Sequence, residues 1–138
     1  MIALTRRYAF PAAHVLRHAS YTDEENFRVY GKCANPAGHG HNYQVEVTLM
    51  GPLDPVRGWI VEPALVDALF EEHVGSRLGG RMLNDDPWFE NLVPTAENIA
   101  RVISRELAAP IREKSTAEVR SVRIVETRKN SFVDGEIQ

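Results

Sequence analysis

The stretch "HGHNYQVEVTLMG", residues 39–51, constrains the fold more than any other part of the chain. Tyr43, Val45, Val47 and Leu49 fall on one side, and Asn42, Gln44, Glu46 and Thr48 on the other. A period of two belongs to a β-strand with one buried and one polar face. Such a strand needs neighbours at its edges and a cover over its apolar side. "ALTRRYAFPAAHVL" supplies a first strand, with Tyr8, Phe10, Ala12 and His14 on one face. "EVRSVRIVETRKN" supplies a third, with Val122, Ile124 and Glu126 on one face, and "SFVDGEIQ" a short fourth.

Two helices can provide the cover. "EPALVDALFEEHVGSRL" carries an apolar stripe of Leu65, Val66, Leu69, Phe70 and Val74, and its Pro63 suits a first helical position. "TAENIARVISRELAAPI" carries Ile99, Val102, Ile103 and Leu107, with Thr95 placed as N-cap and Glu97 in the first turn. "PLDPVRG" reads as a turn, "WIV" as a short extended segment, and "GGRMLNDDPWFENLVP" as irregular. The polar stretch "RHASYTDEENFRVYGKCANPAG" reads as a long loop, a length that in compact domains often serves function. The order strand, strand, helix, helix, strand, strand predicts an α+β domain: a four-stranded antiparallel sheet with two helices on one face.

The 138 residues make one domain, 1–138, without internal repeats. With 43% hydrophobic residues and a net charge of −3, the chain carries no global signal for nucleic acid or anionic membrane. No run of 18 apolar residues predicts a membrane span, and "MIALTRRYAF" lacks the apolar stretch of a signal peptide. Cys33 is the only cysteine, so no internal disulfide can form, which fits a reducing cytoplasm.

The histidines carry the chemistry. His39 and His41 share strand parity with Tyr43, so both imidazoles lie at the end of the apolar face. Two imidazoles there can grip one metal ion if a third ligand comes from elsewhere. His14 is the candidate, at the end of a strand able to pair alongside. Three imidazoles with an open fourth position form a catalytic zinc arrangement. Each feature also has a plain structural reading. A His-x-His pair is a weak signal alone, His18 reads as solvated, and His73 as a packing residue. A lone cysteine is more often inert than catalytic, and a carboxylate such as Glu126 at a strand end is usually solvated. The coincidence of these features raises the metal reading.

"FPAAH", "EENFRVYGKCANPAGHGHNYQVEVTLMGPLDPVRGWIVE", "PTAENIA" and "VRIVETRKN" together resemble the 6-pyruvoyl-tetrahydropterin synthase and 6-carboxytetrahydropterin synthase family. The resemblance runs from Tyr8 to the C-terminus. The five residues between Cys33 and His39, with the "EENFRVYGKC" lead-in, look more like the pyruvoyl branch than the carboxy branch of queuosine biosynthesis. The resemblance implies a tunnelling fold, with sheets closing into an oligomeric barrel, as a homohexamer made of two trimers. It implies Zn2+ held by His14, His39 and His41, and catalysis by Cys33. Glu126 would hold the pterin's 2-amino and ring N–H groups, with the Thr95 hydroxyl beside it. The implied substrate is 7,8-dihydroneopterin triphosphate, a small-molecule pterin, and the implied reaction is elimination of triphosphate to 6-pyruvoyl-tetrahydropterin, as in tetrahydrobiopterin biosynthesis.

These residue types suit that reaction. A metal acidifies protons on carbons beside hydroxyls, a thiolate collects them, and a carboxylate accepts two parallel N–H bonds. One departure stands out. The family places an Asp-His pair between the two helices to complete the proton relay, and here Gly79 and Gly80 occupy those positions. His73, Asp85 and Asp86 are nearby in sequence but do not match them. Ala96 stands where a threonine is common. The expectation is therefore a lyase, with 6-carboxytetrahydropterin synthase-type activity or a pterin-binding homologue of weak or no turnover as alternatives.

Overall fold

A computed structural model describes residues 1–136, so the last two positions of the strand expected over 131–138 lie outside it. The first strand, β1, covers Ile2–His14 and pairs antiparallel with β2, His39–Gly51, along its whole length. β2 pairs with β4, Glu118–Val125, and β4 with β5, Ser131–Gly135, all antiparallel. The register of β2 against β4 slips at Thr48/Leu49.

The sheet is five-stranded and mixed, not four-stranded and antiparallel. The added strand β3, Arg81–Met82, lies parallel to β1 against Ala12 and Ala13, giving the order β3-β1-β2-β4-β5. Its cause is local. Gly80 takes a left-handed φ of 72° and donates its N–H to the Pro11 carbonyl, which turns the chain along the free edge of β1. Asn84 then imitates one more strand residue, its side-chain amide accepting from Val15 N and donating to Val15 O.

The helices cover one face. α2, Pro63–Phe70, continues through a widened turn, Glu71–Gly75, into α3, Ser76–Leu78, so the expected helix holds its path with a π-bulge inside it. α4, Ala96–Lys114, starts at Thr95, whose hydroxyl accepts from Asn98 N as expected of an N-cap. Tyr43, Val45, Val47, Leu49, Val122 and Ile124 meet Val66, Leu69, Phe70, Ile99, Ile103 and Leu107 in one core. The opposite face keeps Thr5, Arg7, Glu46, Thr48 and Arg123 uncovered by helix, with Glu46 between the Arg7 and Arg123 guanidinium groups.

The stretch expected as a loop holds a further helix, α1, Asp23–Tyr30. Thr22 caps it, and Asp23, Glu24 and Glu25 fill its first turn. Asn26, buried, closes the segment by accepting from His18 N and donating to the His18 and Tyr21 carbonyls. Trp59–Val61 form a bend rather than an extended segment, with Ile60 and Val61 anchored in the core. Among the described residues no helix is long and apolar enough to cross a membrane.

Candidate metal centre

The register of β1 against β2 builds the site. His14 stands directly opposite His39, and Ala12 opposite His41, so three imidazoles meet at one end of the covered face. Their ring centroids form a near-equilateral triangle with sides of 4.6, 5.0 and 4.8 Å, and the rings stand at 68–84° to one another. One nitrogen from each lies within 4.8 Å of the others. His14 Nε2 and His39 Nε2 are 3.1 Å apart. Two ligands 2.0–2.1 Å from a tetrahedral zinc stand about 3.3–3.4 Å apart.

The donor set passes a direct test for a cation. His41 Nε2 is buried and has no hydrogen-bond partner among the described residues. A buried orphan nitrogen is costly unless something binds its lone pair. His14 is buried, and its Nδ1 lies 2.8 Å from the Pro94 carbonyl and 3.1 Å from the Tyr43 hydroxyl. A carbonyl only accepts, so Nδ1 carries the proton and Nε2 offers a bare lone pair toward the other rings. Burial, with the charges of His39 and His41, pulls the His14 pKa down to about 4 against the opposing Pro94 hydrogen bond. His39 is lowered too, by burial first and then by His41 and Lys32, with Glu126 opposing. Both rings are therefore neutral at pH 7, the form that binds a metal.

The other predicted residues gather nearby. Cys33 is half-exposed on the short turn Gly31–Ala34, and its carbonyl accepts from Leu16 N at 2.8 Å, tying the turn to the chain just past His14. Glu126 follows β4, with its backbone N–H bonded to the Asn130 carbonyl. Among the described residues its carboxylate has neither hydrogen bond nor ion pair, which leaves it open to a ligand. Burial raises the Tyr43 pKa well above the usual phenol range, with further contributions from Glu126 and then Cys33, so both lie within electrostatic reach of that phenol. Thr95 adjoins Pro94, the residue that holds His14.

Gly79 and Gly80 lie along the other edge of β1. Gly80 bonds to the edge of β1 remote from β2, and a Cβ built there meets nothing within 4 Å. It lines a hollow of about 470 Å³ with Pro11, Ala13, Gly40, Asn42 and Arg81, and His41 of the cluster borders the same hollow. The two acids nearby, Asp85 and Asp86, differ in their surroundings. Asp86 binds the Arg77 guanidinium and caps the turn at Trp88 N. Burial pushes its carboxyl up, but Arg77, Trp88 N–H and Arg81 outweigh it and hold the pKa below the usual range. Asp85 is exposed, and His73 faces Glu72 at 3.9 Å. His18 is exposed and bonded to Ser20, as its solvated reading requires. Sequence reasoning missed Tyr43 as a polar group, the Pro94 carbonyl, Asn26 and Asn84. Only Tyr43 left a signal, since a phenol beside a histidine pair on a buried face needs a partner.

A compact α+β domain with three convergent buried imidazoles, a nearby thiol and a free carboxylate defines a candidate mononuclear metalloenzyme. The 6-pyruvoyl tetrahydropterin synthase family profile matches residues 3–135, and the chain belongs to that family. It is 41% identical over 131 residues to the 6-pyruvoyl tetrahydrobiopterin synthase of Poecilia reticulata, covering 94% of this chain and 87% of that protein. It is 42% identical over 98 residues to the Homo sapiens protein of the same name, covering 70% and 68%. The solved Caenorhabditis elegans 6-pyruvoyl tetrahydropterin synthase superposes with a TM-score of 0.90 at 33% identity, covering 99% of this chain and 96% of that one.

Proposed function

We propose that this chain is a zinc-dependent 6-pyruvoyl tetrahydropterin synthase, a carbon–oxygen lyase that eliminates triphosphate from 7,8-dihydroneopterin triphosphate. The observation that carries the reading is the convergence of His14, His39 and His41 within 4.8 Å in a member of this family. Those three imidazoles would hold the ion. Zinc supplies Lewis acidity there, making carbon-bound protons beside the substrate's side-chain oxygens removable. Cys33 collects such a proton as thiolate, from a turn the backbone ties to the strand end. Glu126 orients the pterin by accepting its 2-amino and ring N–H protons in parallel. Thr95 places its hydroxyl beside the ring while capping α4.

Gly79 and Gly80 favour a second reading, a pterin-binding homologue with weak or no turnover. A side chain at 80 would stand in open space at a sheet edge, where a neighbouring subunit can add a residue. A homohexamer of two trimers supplies one, and the uncovered sheet face and the open edge of β5 support such an assembly. A reducing cytoplasm suits the free Cys33 thiol. The test is incubation of the zinc-loaded protein with 7,8-dihydroneopterin triphosphate, followed by mass analysis. Expected is 6-pyruvoyl-tetrahydropterin, formed slowly and lost in Cys33→Ala. A 6-carboxytetrahydropterin product transfers the chain to the other branch. Tight pterin binding without product establishes the second reading.

A further inference from the structure

We propose that Tyr43 is a positioning residue for the metal, its hydroxyl acting with the Pro94 carbonyl to hold the His14 ring with Nε2 directed at the ion. The inference rests on the reading of His14, His39 and His41 as a metal centre and extends it to the group behind the ligand.

The geometry is specific. Tyr43 and His14 are both buried, and the phenol oxygen lies 3.1 Å from His14 Nδ1. No other hydrogen bond of that hydroxyl exists among the described residues. The Pro94 carbonyl approaches the same nitrogen at 2.8 Å. Two oxygens around one ring nitrogen fix the ring against rotation about its Cβ–Cγ bond, which a single contact does not. They also share the Nδ1 proton, which makes the opposite nitrogen a better electron donor. The Tyr43 ring packs on Phe10 at 5.6 Å and on His41 at 5.4 Å, so the hydroxyl is delivered from a body that cannot turn away. Tyr43 lies two residues beyond His41 on β2, while His14 belongs to β1. The contact therefore joins the two strands at the point where their ligands must converge.

The other metal-facing rings are held differently. Among the described residues His41 makes no hydrogen bond, and His39 makes only the Nε2 contact to His14, so neither ring is held from behind through its Nδ1. His14 is thus the fixed ligand, and Tyr43 supplies half of what fixes it.

The test is Tyr43→Phe, which keeps the ring and deletes one oxygen. Co2+ affinity is measured by competition with a chelating dye, together with the visible Co2+ absorption bands and the melting temperature of metal-free protein. The expected result is Co2+ binding weaker by about 10–100-fold, with shifted bands. Metal-free melting should stay near that of the unaltered chain. Unchanged affinity and bands overturn the proposal, as does a loss of melting temperature equal in metal-free and loaded protein, which marks a structural role alone. If the variant does not fold, imidazole ¹⁵N spectra of the unaltered zinc-loaded protein decide. A slowly exchanging His14 Nδ1 proton close to the Tyr43 hydroxyl proton supports the proposal, and coordination through Nδ1 overturns it. If unaltered protein and His39→Ala alike fail to bind Co2+, the metal reading itself has failed. If only the Tyr43 comparison is null, that reading stands.

Discussion

The C-terminal end of β1 has two edges, and they differ in nearly every physical respect. On one, His14 faces His39 of β2, and the rings converge under a buried phenol and a carbonyl. On the other, Gly80 holds β1 through a single backbone bond before the two-residue β3, and its missing side chain opens onto empty space. The first edge is built from side chains whose chemistry converges. The second turns on one backbone conformation, at Gly80, that glycine adopts most easily. One chain thus brings the three imidazoles of a candidate metal site together, and offers no proton-carrying side chain at 79 and 80.

That contrast orders the consequences of substitution. The largest effect is expected at Cys33, the proposed proton carrier. Cys33→Ala should lower turnover by about 10²–10⁴-fold, read as product formed per zinc, with zinc content unchanged. Retained turnover would move the proton transfer to another group, against the contrast drawn here. Glu126 comes next. Because its carboxylate has no partner among the described residues, Glu126→Gln should spare folding and raise KM by about 10–100-fold, the loss of one charged hydrogen bond. A change in melting temperature instead would make Glu126 structural.

The glycine edge gives smaller effects, in stability rather than chemistry. Gly80→Ala forces an L side chain into a left-handed φ of 72°, with an expected cost of about 1–2 kcal/mol in denaturant unfolding and no change in metal affinity. Restoring Asp-His at 79 and 80 is harder still, because a Cβ at 79 would meet the Gly75 carbonyl oxygen at 2.7 Å. The smallest effect is at Asp86. Its folded pKa is held below that of the unfolded carboxyl, so its stabilisation is present above the unfolded value and is lost as pH falls through the folded one. Asp86→Asn should remove that acid dependence and cost about 1 kcal/mol or less, as for a partly exposed pair.

Much of the covered face was legible in the chain because one physical rule governs it. Alternation places Tyr43, Val45 and Val47 inward, and the same parity carries His39 and His41 to the same side. Thr95 and Pro63 announced their helix starts for equally local reasons. β3 was not legible, since two residues carry no period and its pairing depends on a glycine turn and on an asparagine side chain standing in for backbone. α1 was hidden because its eight residues bury only Asn26, leaving no apolar stripe to read, although "TDEE" carried a capping signal. The partners of His14 could not be read at all from the carbonyl side. Pro94 acts through its backbone, which has the same chemistry in every residue.

The central claim, that the imidazole edge of β1 is a metal centre complete in one chain, is tested most directly by calorimetric titration of metal-free protein with zinc. The account predicts one zinc per chain, equal affinity for the unaltered protein and Gly80→Ala, and loss of binding in His14→Ala. Absence of binding, or binding that survives His14→Ala, would contradict it.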